Sequence, residues 1–328
     1  MLVLTRHEVE ALLDLDALVD ALAAAMVELS AGRVSLPPRV AALVPEQQGL
    51  LGVMPAHVPA LGVLETKLVS LFPNNAGSAL PTHQAVIAAF DPANGTPIAL
   101  MDATYITEAR TAAGSALATR LLAREDAAVL ALLGTGVQAR AHARAIPRVR
   151  PIREIRVAGR DLQKAERFAQ DLSASFGIPA RATATYPEAV AGADVICACT
   201  HAVEPVVRRG WLSSGVHVNS VGLNGKGREV DAETVRDSLL VVESRMSVLA
   251  PFPAGANDIT WPVRDGTIGE DHIHAEIGEI VAGSRPGRSD PGQITLYKSV
   301  GVGVQDAAAV ALVLEAARAA GAGVNVEI

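Results

Sequence analysis

Two periodicities of apolar residues divide the chain. Near the N-terminus, leucines, valines and a methionine recur at helical spacing, which predicts one helix over residues 7–31. Short runs of alternating apolar and polar residues follow and predict strands. These runs lie at 39–44, 50–54, 62–70 and 84–91. Pro, Gly and Asn separate the runs, so an antiparallel sheet in a domain of its own is expected.

The second half of the chain has a different pattern. After an Ala-rich helix predicted over 107–123, strands and helices alternate regularly. The predicted strands are 127–133, 153–158, 179–184, 194–199, 216–222 and 239–243. The predicted helices are 137–147, 161–175, 186–191 and 231–237. This alternation predicts a doubly wound parallel sheet. A helix over 271–282, a strand over 294–299 and an apolar helix over 304–320 are expected to follow.

A glycine-rich turn joins the strand at 127–133 to the next helix. It reads Gly-Thr-Gly-Val-Gln-Ala from Gly134 to Ala139. Gly134 permits the tight turn, and Gly136 lets the backbone approach a pyrophosphate at the helix N-terminus. The preceding strand and the following helix are the context in which this motif binds a dinucleotide.

Together these patterns predict an α/β protein with two domains. Residues 123–302 are expected to form a Rossmann-type doubly wound parallel sheet that binds the dinucleotide. Residues 1–122, joined by the C-terminal segment 303–328, are expected to form a smaller mixed α+β domain for the substrate.

Composition narrows the possible partners. Half of the 328 residues are hydrophobic and 19% are charged, which allows a sizeable core. The net charge of −7 argues against nucleic acid or an anionic membrane surface as a partner. Neither a signal peptide nor a membrane span is expected. Cys197 and Cys199 lie two residues apart on a predicted strand, where neither a metal pair nor a disulfide is expected, and free cysteines suit a reducing cytoplasm.

The residues after the second strand of the dinucleotide fold indicate which cofactor binds. An NAD enzyme usually carries an acid there for the ribose 2′-hydroxyl, but this chain has Gly159 followed by Arg160. A guanidinium can pair with a 2′-phosphate, so NADP(H) is favoured over NAD(H). Asp161 could serve as the ribose acid instead if the loop is shifted by a residue or two.

Several motifs resemble the ornithine cyclodeaminase/μ-crystallin family. They span nearly the whole chain in the family's order, and Arg-Thr-Ala-Ala just before the glycine-rich turn is the most specific. The matching segments are 64–67, 80–84, 110–115, 134–139, 218–222, 228–231 and 297–301. The resemblance implies a homodimer whose N-terminal domains meet, an active site in the cleft between the domains, and an α-amino acid or its α-imino partner as substrate.

The resemblance also suggests site residues. Arg39, Lys67 and Arg110 match positions at which three cations would hold a small carboxylate, and Lys67 could also relay a proton. His83 could reach the cleft or form a structural hydrogen bond. The residues that the resemblance adds to Gly134, Gly136 and Arg160 for cofactor binding are Thr82, Arg110, Thr111, Val137, Gln138, Thr200, Val221 and Ser299.

One position separates the activities of the family. Cyclodeaminases carry an acid/base aspartate where this chain has Asn224, and an amide cannot exchange protons near neutral pH. Asn224 can still hydrogen-bond a substrate amine or the nicotinamide. The prediction is therefore NAD(P)H-dependent reduction of a small α-imino acid, or the reverse amino-acid dehydrogenation. Cyclodeamination of ornithine or lysine, and a non-catalytic NADP(H)-dependent binding protein, are the alternatives.

Overall fold

The computed structural model describes residues 1–327, which form two compact units. The first comprises Met1–Arg110 and the segment from Val302 onward, and the second is Thr111–Gly301. The strands are β1 (Leu2–Leu4), β2 (Val40–Val44), β3 (Gly49–Val58), β4 (Val63–Leu71), β5 (His83–Phe90), β6 (Pro97–Asp102), β7 (Val129–Leu133), β8 (Glu154–Ala158), β9 (Ala180–Ala182), β10 (Val195–Ala198), β11 (His217–Ser220), β12 (Leu239–Val242), β13 (Ala275–Glu276), β14 (Thr295–Lys298) and β15 (Val324–Asn325). The helices are α1 (Arg6–Leu12), α2 (Leu15–Ser30), α3 (Thr104–Leu122), α4 (Val137–Ala145), α5 (Leu162–Phe176), α6 (Tyr186–Val190), α7 (Ala232–Asp237), α8 (Arg245–Leu249), α9 (Asn257–Arg264), α10 (Ile277–Val281) and α11 (Gly303–Ala320).

The first unit is built on a sheet in the order β15-β1-β6-β5-β4-β3-β2. Strands β2 to β6 pair antiparallel, as the alternating pattern predicted. One face of the sheet carries buried residues at every second position, such as Met54, Lys67 and Ile87, which are cross-strand neighbours. Helix α11 packs against β3, β4 and α2. This buried face therefore lies under α11.

The single helix predicted over 7–31 is wrong, because the chain forms α1 and α2 instead. The Asp14 side chain accepts a hydrogen bond from Ala17 N at 2.8 Å and caps a new helix. Leu13 adopts an extended conformation between the two helices. The apolar spacing continues across this break, so periodicity alone did not reveal it.

The second unit contains an all-parallel sheet in the order β13-β12-β14-β11-β10-β7-β8-β9. The strand order reverses between β7 and β10, which is the switch point of a doubly wound fold. The predicted fold class is confirmed. Central strands such as β10 are buried along their whole length, as parallel strands covered on both faces are.

The helix predicted over 271–282 is wrong in its first half. Residues Glu270–His272 form a 3₁₀ turn, and β13 then pairs with β12 at the edge of the sheet. Helix α10 begins only after Glu276, whose backbone N–H donates to the Glu279 carboxylate at 2.7 Å. Pairing with a neighbouring strand outweighs local helix propensity here.

Two further expectations concern membrane-spanning helices and the two cysteines. Within residues 1–327, no helix is long and apolar enough to cross a bilayer. Cys197 is buried in β10, Cys199 lies just beyond its end, and both are free thiols. The described part of the chain contains no group of His, Cys, Asp and Glu side chains able to hold a metal ion.

Candidate active site

A buried ion-pair cluster lies under α11 in the first unit. Lys67 of β4 is 1% exposed, and its Nζ lies 2.7 Å from Oδ2 of Asp306. Arg110 of α3 is 5% exposed, and its Nε lies 3.1 Å from the other carboxylate oxygen of Asp306. One aspartate therefore holds two of the three cations that the sequence singled out.

The start of α11 brings Asp306 down onto the sheet. The helix begins at Gly303, where an added Cβ would lie 3.0 Å from the Ala56 side chain on β3. Because glycine permits this close approach, the first turn of α11 reaches β4. Gln305 accepts a hydrogen bond from Arg110 Nη1 at 3.0 Å. Two adjacent residues of α11 thus fix the direction of the guanidinium.

Burial and charge set the protonation of this cluster. Burial would raise the pKa of Asp306, but Lys67 and Arg110 outweigh it and hold that pKa below its usual range. Burial and the charge of Arg110 lower the pKa of Lys67 to about 8, against the opposing effect of Asp306. At neutral pH the three groups therefore carry a net positive charge.

Glu65 is a second carboxyl group on the same face of β4. It is 1% exposed, and neither of its carboxyl oxygens has a hydrogen-bond partner among the described residues. Burial, followed by the negative charge of Asp306, raises the pKa of Glu65 well above its usual value. A neutral Glu65 leaves the positive charge of Lys67 and Arg110 only partly balanced, so the cluster favours an anionic ligand such as a carboxylate.

The remaining sequence-selected residues of this unit lie in less buried places. His83 begins β5, and burial together with the charges of Lys67 and Arg110 lowers its pKa to about 4, so its imidazole is neutral at pH 7. Arg39 is half-buried and lies one residue before β2. Continuing the register of β2 and β3 by one residue would place Arg39 opposite Met54, which pairs with Lys67 on β4. Thr82 is exposed, and its carbonyl accepts from Phe72 N.

In the second unit, the glycine-rich turn has the geometry that a dinucleotide requires. Gly134 has φ +116°, and an added Cβ would lie 2.7 Å from the carbonyl oxygen of Cys199. A Cβ at Gly136 would meet nothing within 4 Å. Among the described residues, no side chain caps the start of α4. Its first amide groups, beside Val137 and Gln138, are therefore suited to a pyrophosphate.

The loop after β8 contains the residues that bear on cofactor choice. Arg160 is exposed. The Asp161 carboxylate accepts from Lys164 N at 3.0 Å and caps α5. An added Cβ at Gly159 would approach the Thr135 side chain at 3.1 Å. The aspartate that could have served as the ribose acid is thus used as a helix cap.

A buried carboxylate, Glu229, holds the loops that follow β10 and β11. One of its oxygens accepts from the backbone and hydroxyl of Thr200, at 2.5 and 2.6 Å. The other accepts from Ser220 Oγ at 3.0 Å and from Gly222 N at 2.7 Å. Val221 lies between these last two residues. Sequence reasoning quoted Glu229 only as part of a motif and assigned it no role.

Lys298, at the end of β14, ties this carboxylate to a second one. Its Nζ donates to Ser220 Oγ at 3.0 Å and to Gly222 O at 2.6 Å, and it pairs with Asp258 Oδ2 at 3.1 Å. The other Asp258 oxygen accepts from the backbone N–H groups of Glu229 and Val230 at 2.8 and 2.9 Å. The loop ends thus form one hydrogen-bonded network.

A third carboxylate, Glu243, follows β12 and holds the loop after β14. It accepts from Ser299 Oγ at 2.7 Å and from the N–H groups of Val300 and Gly301 at 2.8 and 3.0 Å. The loops held by buried carboxylates therefore include three residues that the sequence selected for the cofactor, Thr200, Val221 and Ser299.

A fourth such residue, Thr111, is buried in α3.

Asn224 is held within its own loop. Its Nδ2 donates to the carbonyl groups of His201 and Ala202 at 2.9 and 3.2 Å. Its Oδ1 accepts from Lys226 N at 2.8 Å. Both ends of the side-chain amide thus stabilise the loop, so the residue has an evident structural role.

Known proteins resemble this chain along its whole length. The model of the ornithine cyclodeaminase/mu-crystallin family matches residues 1–321. Ketimine reductase mu-crystallin of Mus musculus is 37% identical over 302 residues, 91% of each chain. The structure of Thermococcus litoralis Delta(1)-pyrroline-2-carboxylate reductase in complex with NADH and L-proline is 39% identical, with a TM-score of 0.95, and covers 99% of this chain and 100% of that one. An archaeal alanine dehydrogenase dimer with bound NAD is 32% identical, with a TM-score of 0.92, and covers 100% of this chain and 99% of that one.

Proposed function

Because the chain belongs to the ornithine cyclodeaminase/mu-crystallin family, we propose that it reduces a small α-imino acid to the α-amino acid with NAD(P)H, or catalyses the reverse dehydrogenation. The expected enzyme class, an NAD(P)-linked imine reductase or amino-acid dehydrogenase, is confirmed by its relatives. The observation that carries the proposal is the buried cluster of Lys67, Arg110 and Asp306, whose positive charge suits a substrate carboxylate.

The cations of the first unit bind and protonate the substrate in this proposal. Arg110 and Lys67 hold the carboxylate, with Arg39 as a third cation. Lys67 also donates a proton to the substrate nitrogen, since a pKa of about 8 keeps its ammonium group largely protonated at neutral pH yet able to give up the proton. When bound, the nicotinamide cofactor supplies the hydride that reduces the imine carbon.

The cofactor is assigned to the residues that the sequence selected, and the open turn at Gly136 supports this. The turn and the start of α4 bind the pyrophosphate, while the loops after β10, β11 and β14 bind the nicotinamide half. The proposed residues are Thr82, Arg110, Thr111, Gly134, Gly136, Val137, Gln138, Arg160, Thr200, Val221 and Ser299.

NADP(H) is proposed as the preferred cofactor. Arg160 is exposed directly after β8, while Asp161 caps α5. An Arg160→Ala variant should bind NADPH about tenfold more weakly, because a charge-assisted hydrogen bond to the 2′-phosphate is lost, and should bind NADH unchanged. Fluorescence titration measures both dissociation constants. An equal change for the two cofactors would contradict the assignment.

Reduction is favoured over cyclodeamination because of Asn224. Ammonia loss and ring closure need a group that gains and loses a proton, and the Asn224 amide cannot do so. Its side chain also serves the loop through His201 and Ala202. Asn224→Ala is expected to weaken cofactor binding through the loop rather than to abolish proton transfer.

The direct test of the activity combines the protein with NADPH or NADH and a panel of imino acids. The panel includes 1-pyrroline-2-carboxylate and 2-oxo acids mixed with ammonia or methylamine. Loss of reduced-nicotinamide absorbance with matching formation of the amino acid is the expected result. No turnover across the panel, with tight cofactor binding, would indicate a binding protein instead. Ammonia release from ornithine without net cofactor change would indicate a cyclodeaminase.

The outer face of the first unit's sheet suggests a homodimer. Val40, Leu51 and Val86 lie on the face opposite Lys67 and are 63%, 44% and 40% exposed. A sheet face of this kind is typical of an interface, and we propose that a second copy of the chain covers it. Light scattering should give twice the monomer mass, and Val86→Glu should shift it towards the monomer.

The cytoplasm is the proposed compartment. Cys197 and Cys199 are free, and Cys197 is fully buried. Free thiols of this kind are stable under reducing conditions. Fractionation of cells that produce the protein tests this location.

A further inference from the structure

The buried carboxylates at one edge of the second unit's sheet outnumber the lysine that pairs with them. Each oxygen of Glu229, Asp258 and Glu243 accepts at least one N–H or O–H donor, which is the arrangement of ionised carboxylates. Lys298 is the ammonium group that pairs with Asp258. Three carboxylates and one ammonium group leave an excess of negative charge at the carboxyl ends of β10, β11, β12 and β14.

The sheet topology places this charge beside one half of the dinucleotide. The pyrophosphate turn follows β7, and Arg160, the residue suited to the adenosine ribose, follows β8. The strand order reverses between β7 and β10, so in the proposed cofactor site the loops after β10 and β11 would hold the nicotinamide half. Glu229 binds the backbone amide groups just beyond those two strands.

The field of Glu229 reaches other groups at this edge of the sheet. Burial is the main cause that raises the pKa of the Cys199 thiol, followed by Cys197 and then by the charge of Glu229. Burial also raises the pKa of Tyr186. The charge of Arg160 opposes this rise, and the charge of Glu229 adds to it. The charge of Glu229 therefore acts on groups beyond its own hydrogen-bond partners.

An oxidised nicotinamide ring carries a positive charge, whereas the reduced ring is neutral. We propose that Glu229, Asp258 and Glu243 make the site bind the oxidised cofactor more tightly, relative to the reduced form, than it would without their charge. This inference rests on the proposed cofactor site. Stabilising the oxidised form favours loss of hydride from the bound cofactor, which is the direction of imine reduction.

Glu243→Gln is the sharpest variant for this inference. One glutamine oxygen can still accept from the N–H groups of Val300 and Gly301, and its NH₂ can donate to Ser299 Oγ. The substitution therefore removes a charge while keeping the hydrogen bonds. The dissociation constants of the oxidised and reduced cofactor are measured by calorimetry and fluorescence, with melting temperature as a check of folding.

The expected result is that the ratio of the oxidised to the reduced dissociation constant rises about three- to tenfold, as removal of one nearby charge predicts. Glu243→Asp keeps the charge and should retain a ratio near that of the wild type. Asp126→Asn, which changes an exposed carboxylate before β7, should leave the ratio unchanged.

Three outcomes overturn the inference. If both constants change equally in Glu243→Gln, the carboxylate only supports the loop. If Glu243→Gln fails to fold, Glu229→Gln is measured in its place, and an unchanged ratio there rejects the idea. If the wild-type protein binds neither form, the proposed function itself fails, and the inference with it.

Discussion

Each of the two units buries a network of charged residues. The two networks differ in their net charge and in whether every carboxyl oxygen has a hydrogen-bond partner. Under α11, Lys67 and Arg110 share Asp306, and the nearby Glu65 has no hydrogen-bond partner among the described residues. At the sheet edge of the second unit, the carboxylates of Glu229 and Glu243 are fully bound by donors.

In the proposed function, this difference separates the network that binds a ligand from the network that supports loops. Excess positive charge without complete pairing is suited to an external anion, since a bound carboxylate would complete it. Saturated carboxylates have no remaining oxygen for a substrate, so they hold their own loops and act at a distance through charge. Substitutions in the first network should therefore change imine binding, and those in the second should change cofactor binding.

The largest effect is expected from a substitution at the centre of the first network. Asp306→Asn leaves Lys67 and Arg110 buried without a negative partner, so the free energy of unfolding should fall by about 3–5 kcal/mol. Activity on imino acids should fall by about 100-fold or more, because both cations lose their orientation. Urea unfolding and kcat/KM measure the two effects.

Glu10→Gln, on the exposed surface of α1, provides the matched control for Asp306→Asn. It should change neither the free energy of unfolding nor kcat/KM. An Asp306→Asn protein with wild-type stability and activity would refute the assignment of this cluster to the substrate.

The next effect is a pH dependence that only the first network should produce. Lys67 loses its proton as the pH rises through its pKa of about 8, and with it the positive charge and the proton donor. For imine reduction, kcat/KM should therefore fall about tenfold per pH unit above that value. Lys67→Arg keeps the charge at all working pH values and should move this fall to higher pH, at lower activity. An unshifted profile would exclude Lys67 as the titrating group.

A smaller effect concerns Glu65 and stability. The folded protein holds the Glu65 proton more tightly than the unfolded chain does, so unfolding releases a proton at pH values above the usual 4.5. The contribution of Glu65 to the free energy of unfolding should thus decrease as the pH rises above 4.5, by up to about 1.4 kcal/mol per pH unit. Glu65→Gln removes this proton and should make the stability less dependent on pH. Denaturation series at pH 5 and pH 8 compare the two proteins, and identical slopes would contradict the prediction.

The smallest effect tests the second network alone. Ser220→Ala removes the hydroxyl group between Lys298 and Glu229 and should cost about 1 kcal/mol of stability. The KM for the cofactor should rise several-fold while the KM for the imino acid stays unchanged. A change confined to the KM for the imino acid would contradict the roles given to the two networks.

Local patterns predicted much of the fold. The strands around the glycine-rich turn and the antiparallel runs lie close to their expected positions, because each is marked by its own apolar spacing and turn residues. The errors occurred where a side-chain cap or an edge strand decided the outcome, as at Asp14 and at β13. The short strands β1 and β15 depend on partners distant in sequence and were not predicted.

The candidate site shows the same division. The chain by itself determined the Gly134–Gly136 turn, the cations Lys67 and Arg110, and the absence of an acid at Asn224, since each depends on residue type and near neighbours. Only the tertiary structure revealed that Asp306, 239 residues from Lys67, joins the two cations. It also decided that Glu229 and Glu243 hold the loops after β10, β11 and β14, which we propose to bind the cofactor. Such pairings depend on how strands and helices pack, and the energy of a buried charge depends on partners that local sequence does not specify.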